Sequence, residues 1–534
     1  MIQHPDLPDT PAYKVTVLQP APTPLPPGSI VTSRLNTPAP STLPTPRSEP
    51  ISVDRYLTPE EVAIIFLRSL IASARSYLGK PVTHAVITVP PWFTPSQRSA
   101  LRKAATETGI NVSQLLDEAG AVAAITSTPS WKSTLPPDRL QLLVDVGASS
   151  TTVSLLSLRS GLTHILASTT TPSVGGDLID TLLVKYFASE FTKKTKIPLT
   201  VCPATQVQDQ RAEAKLRLAL EHTKRSISAS SGVASCPVES LKDGVDFNGS
   251  INRMRFDIVI RSVYALITSS IASLLESINV DPHEVDEIVY VGGSASLPSL
   301  DEHIISGGFR DDIETPFTRG IITGGGVGDP TTILARGCAS QAHLISEISD
   351  PELLATFTSD SGGVEIPATT KALGVLLPNE SCHDLGGTWI PIIENETPIP
   401  VRRKVCFDVE LLASNKITIE VWEVEQSIHI EKVKLPKPVY SDDDEGAGVN
   451  TNKQGEEEEE EEEEEIKSKQ IKKSAFLASI PLTAKHGVTH KGESEMAGRT
   501  TTTVEVILVV DLDGGLNVTV FEVGGKGAVE SLEI

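Results

Sequence analysis

The sequence predicts an α/β domain followed by an all-β domain. Between residues 57 and 349, buried-strand and amphipathic-helix patterns alternate. Three turns in this region are rich in glycine, two of them closing buried strands and one preceding a helix. From residue 371 onward the clear segments have the alternation of strands, and no helical segment follows them. A chain of 534 residues suits several domains.

Residues 1–50 hold 13 of the 38 prolines, so residues 1–56 read as a proline-rich, extended and largely disordered segment. Only residues 13–17, Tyr-Lys-Val-Thr-Val, fit a strand, at a sheet edge. Order is expected from Leu57: Thr58 caps a helix, Pro59 suits its first position, and Glu61 completes a capping box. Ile64, Ile65, Leu67, Leu70 and Ile71 give that helix an apolar face to about residue 78. Then follow a strand at 84–90, a helix at 96–108, a strand at 112–116 and an alanine-rich helix at 118–126. Residues 140–147 are a buried strand, and 151–158 with 162–168 a hairpin. Helices are expected at 179–192, 212–227, 258–278 and 340–348, and a buried strand at 287–291. Residues 350–370 read as a linker. The segments 417–424, 476–482 and 502–510 are strands, and Asp511 to Gly515 is a hairpin turn into 516–523. An acidic insertion, 441–470, interrupts this β-domain.

The net charge is −23, and residues 441–465 carry −13 of it, mostly as the ten glutamates 456–465. Such a run is self-repelling and solvated. It reads as an acidic linker, with a basic partner as the alternative. The acidic balance and an aromatic content of 4% argue against nucleic-acid binding. No run of 18 apolar residues predicts a membrane span, and the first residues lack a secretory pattern. Cys202, Cys236, Cys338, Cys382 and Cys406 are scattered and form no disulfide framework, which fits a reducing compartment.

The three glycine turns are the candidate sites, because backbone N–H groups at such turns can hold anionic oxygens. Asp145-Val146-Gly147-Ala148-Ser149-Ser150 places a carboxylate at a strand end, suited to Mg²⁺ and its water. Gly175-Gly176-Asp177 precedes a helix, and Gly292-Gly293-Ser294 follows a strand. Each alone is compatible with an ordinary tight turn. Their order and spacing suit a two-lobed nucleotide clamp.

On these residues the chain resembles the 70-kDa heat-shock chaperone family, which has an actin-like (ribonuclease H-like) ATPase fold. Residues 86–90 with Phe93, Ser96, Gln97 and Arg98 are similar to a connecting segment of that family. Asp117-Glu118-Ala119 with Ala121, Ala123 and Ala124 looks like the start of one of its helices, and the second and third glycine turns also match. The likeness covers roughly residues 57–534. It implies a nucleotide-binding domain at 57–349, a linker at 350–370 and a peptide-binding β-sandwich at 371–534, without a helical lid. Residues 186–191 and 250–255 are similar to an atypical fungal branch of the family found in a ribosome-associated complex. That implies a zuotin-like J-domain partner, action on nascent polypeptides at the ribosome, a cytoplasmic location, and ATP binding without a need for hydrolysis.

The resemblance also implies roles. Glu118 lies beside the hydrolytic water and Asp145 faces the metal. Gly147, Ser149 and Ser150 form a phosphate loop, and Gly175 and Gly176 lie near the β-phosphate. Glu221, Lys224, Arg225 and Ser228 flank the adenosine; by pattern alone the charged three are a solvated helix face. Gly292, Gly293 and Ser294 form the adenosine loop, and Asp329 closes the site. The expected ligands are ATP or ADP and Mg²⁺.

Departures from the family pattern are equally informative. Ser150 and Thr152 stand where the family has a threonine and a second aspartate, and Ser296 replaces an arginine. Residues 1–56 show no counterpart of the other lobe's phosphate loop or of the catalytic lysine. The actin-like domain is therefore expected to be N-terminally incomplete, through a shortened gene model or real degeneration. Loss of a cation at the γ-phosphate costs roughly 10² to 10³ in rate. A non-hydrolysing, ATP-binding chaperone subunit is the leading expectation, and an active ATPase chaperone with ATP-gated peptide binding the alternative. A small-molecule kinase on the same fold is disfavoured by the β-domain.

Overall fold

The computed structural model describes residues 2–7, 10–19, 51–131, 133–229, 232–322, 325–358, 366–378, 385–411, 416–434, 463–485, 488–489, 500–523 and 530–533. Two units emerge, Met1–Glu118 with Cys338–Asp360, and Ala119–Gly337 with Ser361–Ile534.

The first unit opens with an antiparallel sheet of β1 (Ile2–Gln3), β2 (Pro11–Gln19) and β3 (Ile51–Leu57), in which Tyr13 faces Leu57. This corrects two expectations. Residues 51–57 are a strand rather than disordered chain, and β2 is the middle strand rather than an edge. Val15 and Val17 alternate on one face of β2, with Val53 opposite Val17 in the register. The proline-rich residues 20–50 lie outside the described residues.

Next, α1 (Pro59–Leu78) begins with the expected box: Thr58 N–H donates to Glu61 Oε2 at 2.8 Å and Glu61 N–H to Thr58 Oγ1 at 3.2 Å. It ends at Gly79, whose φ of 64° favours a residue without Cβ. No residue of α1 is fully buried, and Val62, Ile65, Phe66, Leu70 and Tyr77 are exposed. Strand β4 (His84–Val89) runs parallel to β5 (Asn111–Asp117), joined by α2 (Pro95–Glu107). Val89, Ala105, Val112 and Leu115 form their small core.

The second unit starts within α3 (Glu118–Thr126). Strands β6 (Arg139–Val146), β7 (Ser150–Arg159) and β8 (Leu162–Pro172) form an antiparallel meander. Helices α4 (Gly176–Thr195) and α5 (Val207–Ala229) follow. A hairpin of β9 (Val233–Lys242) and β10 (Val245–Asn252) precedes α6 (Arg253–Ser277). Then β11 (Glu287–Val291) joins β6 in parallel, giving the sheet order β11-β6-β7-β8. After it come α7 (Pro298–Ile305) and α8 (Ile333–Glu347), whose residues from Cys338 onward belong to the first unit, as does α9 (Pro351–Thr358). Thus part of the expected linker is helical, because Asp350 caps Glu352 N–H at 2.9 Å and opens a helix there.

Alternation along β6 divides the core. Leu142, Val144 and Val146 pack with α4, α5 and α6 through Phe187, Leu216 and Ile260. Leu143 packs with α3 and β11 through Val122 and Val289. By length and composition α6 could cross a membrane, but Phe256, Ile260, Val263, Tyr264, Ile267 and Ile271 are buried in this core.

The β-domain has two sheets. One is ordered β13-β12-β15-β16, from β12 (Ala372–Pro378), β13 (Gly387–Ile393), β15 (Lys416–Lys434) and β16 (Glu463–Thr483). The other is ordered β14-β18-β19-β20, from β14 (Val401–Glu410), β18 (Thr500–Val510), β19 (Leu516–Glu522) and β20 (Glu530–Glu533), with β17 (Val488–Thr489) also on β18. Val375, Ile419, Val421 and Ile480 from the first sheet share a core with Val504, Val506, Leu508 and Val518 from the second. The insertion expected at 441–470 is shorter than that, because 463–470 pair with 427–434 as strand. Among the described residues, Cys202, Cys236, Cys338 and Cys406 are free thiols.

A buried charge cluster holds β6 and β11. Glu287, fully buried, accepts from Arg139 Nε at 3.0 Å, Gln141 Nε2 at 2.8 Å and Trp131 Nε1 at 2.5 Å. Arg319 pairs with Glu287 at 3.4 Å and donates to Trp131 O. Removing one partner of a buried pair strands the other charge. Glu287→Ala is expected to destabilise the chain by about 3–5 kcal/mol. Urea unfolding measures this, and a loss below about 1 kcal/mol would contradict the cluster's role.

Candidate functional site

Asp145 is the last but one residue of β6 and sits opposite Val291 in the parallel register. Both strands therefore end at one level, and their glycine turns meet. Gly292 has φ of 93°, and a Cβ there would lie 2.3 Å from Val146 O and 2.8 Å from Asp145 Oδ1. Only glycine permits that approach.

The first turn is closed by Gly147 N–H donating to Ser150 O at 3.0 Å. Ser173 N–H donates to Ser149 O at 2.8 Å, which ties the end of β8 to the same turn. Ala148 and Ser149 are exposed, and their N–H groups make no hydrogen bond among the described residues. These two donors are free to meet an anion.

The second turn behaves differently from expectation. Gly176 N–H donates to Gly147 O at 3.0 Å and Asp177 N–H to Ala148 O at 2.8 Å. The N–H groups of Gly176 and Asp177 are thus spent on the first turn. The glycines serve closeness instead: a Cβ on Gly175 would lie 2.7 Å from Gly147 O and Ala148 O, and one on Gly176 would lie 2.7 Å from Ser294 Oγ. All three turns are in mutual contact.

The Asp145 carboxylate has no hydrogen bond or ion pair among the described residues. Burial alone pushes its carboxyl up to about 6. An uncompensated carboxylate beside two open loop N–H groups fits a hydrated divalent cation carrying an anionic ligand. Asp329 lies close by in the chain, since Gly292 N–H donates to Pro330 O at 3.0 Å. Its own Oδ1 accepts from Thr331 N–H and Oγ1 at 2.9 and 2.7 Å, shaping the turn before α8.

The α5 candidates form a charge ladder. Lys224 pairs with Asp180 of α4 at 2.7 Å and with Glu221 at 3.1 Å, and Arg225 with Glu221 at 2.8 Å. Burial would lower the Lys224 ammonium, but Asp180 and Glu221 outweigh it and raise it. Ser228 Oγ donates to Lys224 O at 2.9 Å, within its own helix. Asp180 was not singled out in the sequence. Its place one turn into α4, after Gly176, was the available signal. Glu118 opens α3 as the last residue of the first unit. Thr152 shares a 3.1 Å hydroxyl contact with Thr170.

A family profile described as Hsp70 protein matches residues 48–438. The chain belongs to the 70-kDa heat-shock protein family. A heat shock protein 70 homolog of Schizosaccharomyces pombe is 31% identical over 409 residues, covering 73% of this chain and 65% of that one. Heat shock cognate 70 kDa protein 3 of Dictyostelium discoideum is 30% identical, covering 70% and 54%. Ribosome-associated complex subunit SSZ1 of Saccharomyces cerevisiae is 30% identical, covering 73% and 68%. The chain thus spans between about half and two thirds of these relatives. Membership implies an actin-like ATPase domain and a β-sandwich, and the mixed α/β sheet and the two later sheets accord with this.

Two expectations follow. Gly292→Ala combines a left-handed backbone with a clash and should cost about 3 kcal/mol, whereas Gly514→Ala, with open space around it, should cost about 1 kcal/mol. Equal losses in chemical denaturation would refute the close approach. Asp145 titrates above its unfolded value, so its contribution to stability grows as pH falls from about 7 through 6 towards 4. In the absence of divalent cation, Asp145→Asn should therefore raise the melting temperature at about pH 7.5 and lose that gain near pH 4.5. Calorimetry at both pH values checks it, and an equal shift at both would contradict it.

Proposed function

We propose that this chain is a nucleotide-binding chaperone subunit that holds ATP as a structural ligand, with absent or residual hydrolysis. The observation that carries this reading is the unpaired Asp145 carboxylate beside the open N–H groups of Ala148 and Ser149. In this reading Asp145 would hold Mg²⁺, and the loop of Gly147, Ser149 and Ser150 would hold the phosphates. The bound cation would supply charge neutralisation of the phosphate oxygens. Gly175 and Gly176 let α4 close on that loop. Glu221, Lys224, Arg225 and Ser228 with Gly292, Gly293 and Ser294 flank the adenosine, and Asp329 shapes the far wall. Thr152 in place of an aspartate and Ser296 in place of an arginine support weak or absent turnover, since phosphoryl transfer is mostly positioning and charge neutralisation.

The relative described as a ribosome-associated complex subunit supports the finer reading. In it, the chain works in the cytoplasm with a zuotin-like J-domain partner and assists nascent polypeptides at the ribosome. The β-domain would meet partner or polypeptide through open strand edges such as β13 and β14.

MgATP at a hundredfold excess over its dissociation constant should stabilise the chain by about 2.7 kcal/mol, and chelation or Asp145→Ala should abolish the gain. Thermal melts with adenine nucleotides measure this, alongside steady-state phosphate release near background. No shift with any adenine nucleotide would end the nucleotide reading. Turnover that disappears in Asp145→Ala would instead establish the active ATPase chaperone, with Glu118 at the hydrolytic water.

A further inference from the structure

The outer face of the first sandwich sheet carries a row of aromatic rings. Val375, Ile419 and Val421 point into the sandwich core, so by alternation Gly374 and Trp422 point away from it. Gly374 of β12 faces Trp422 of β15, and Trp422 faces Phe476 of β16. Trp389 of β13 is opposite Leu376 in the register, but its ring leans over Gly374, where a Cβ would lie 2.7 Å from its Cη2 and Cζ2. The missing side chain makes room for that ring. The rings of Trp389, Trp422 and Phe476 thus stand at one level, over β12, β15 and β16. Phe476 is 51% exposed, and both tryptophans are half-buried.

The row is held in place. The rings of Trp422 and Phe476 meet edge to face, with centres 5.1 Å apart. Trp422 Nε1 donates to Glu420 Oε2 at 2.8 Å, and Lys473 Nζ lies 4.4 Å from the centre of the Trp422 ring. The outer two rings, over β12 and β16, are two strand spacings apart, about 9.5 Å. One turn of a polyproline II helix is about 9.3 Å long and brings residues i and i+3 to the same edge. Such a helix makes no internal hydrogen bonds, so its carbonyls are open to a donor such as Lys473. Aromatic-lined surfaces of this kind receive Pro-x-x-Pro sequences.

This chain contains that pattern. Residues 20–27, outside the described residues, read Pro-Ala-Pro-Thr-Pro-Leu-Pro-Pro, and Pro24 and Pro27 are one such turn apart. From Thr10 to Ser48 the sequence has no Asp or Glu, so nothing in it repels Glu420. Neither the proline run nor the aromatic row belongs to the candidate nucleotide site. We propose that the outer face of β12, β15 and β16 is a docking site for the proline-rich segment 20–27 of this chain, with Pro24 and Pro27 seated on the rings of Trp389 and Phe476. The site uses neither the open edges of β13 and β14 nor the nucleotide reading.

Fluorescence polarisation tests this with a labelled peptide of residues 19–30. The receptor is the full chain carrying Pro24→Ala/Pro27→Ala, so that its own segment does not compete. Saturable binding is expected, roughly tenfold weaker once Phe476→Ala is added and restored by Phe476→Tyr. Phe476 is half exposed and belongs to no apolar core cluster, so these chains should keep the wild-type circular dichroism. A Pro24→Ala/Pro27→Ala peptide should bind roughly tenfold more weakly than the parent, whereas a Pro22→Ala/Pro26→Ala peptide, which keeps the seated edge, should stay within about threefold of it. Absence of saturation up to about 1 mM peptide, equal losses for the two peptides, or binding indifferent to Phe476→Ala would each overturn the docking site. An unrelated Pro-x-x-Pro peptide that binds roughly tenfold more tightly than residues 19–30 would give the rings to another partner and overturn it as well. None of these outcomes bears on whether Asp145 binds a metal–nucleotide complex.

Discussion

The parallel pairing of β6 with β11 is the constraint from which the rest of the second unit follows. At one end the register is held by charge: Glu287 gathers Arg139, Gln141 and Trp131 in a dry interior. At the other end it is held by the absence of a side chain, since Gly292 must pass within contact of Val146 O. With both ends fixed, Asp145 and the three glycine turns have one arrangement. The carboxylate is left without a protein partner at the place where the loops leave two donors open. Stability has been given up there to keep a carboxyl uncompensated, as functional sites commonly do.

Much of this was readable from residue types. Thr58 with Glu61 announced α1, and the alternation from Leu140 to Val146 announced a strand buried on both faces. The turn at Asp511–Gly515 was equally plain, because Gly514 takes φ of 83° between two alternating strands. The β9–β10 hairpin was not legible. Its inward residues include Ala234, Cys236 and Gly249, small or ambiguous side chains that weaken the period-2 signal. Strand β3 was hidden by the prolines before it, and α7 by its short length. For the site, glycine spacing located the three turns. It could not distinguish open N–H groups from spent ones, because that depends on which carbonyls the fold brings to Gly176 and Asp177.

The helix α5 shows the same limit. Sequence pattern alone favoured a solvated face for Glu221, Lys224 and Arg225. Family resemblance assigned them to a ligand. The structure places Lys224 between Asp180 and Glu221, so its charge is already answered within the protein. A ligand approaching that helix meets a neutralised ladder rather than a bare cation, which leaves the strand-end carboxylate as the dominant local field.

The first unit carries a different tension. The outward stripe of Val62, Phe66 and Tyr77 on α1 has nothing over it among the described residues. Apolar area of that kind favours clumping in concentrated solution. Against it stands a molecular charge of −23, which keeps like molecules apart at low ionic strength. Colloidal behaviour is then a contest between one greasy helix and a long-range repulsion that fades with added electrolyte, so the purified chain should be handled in dilute buffer.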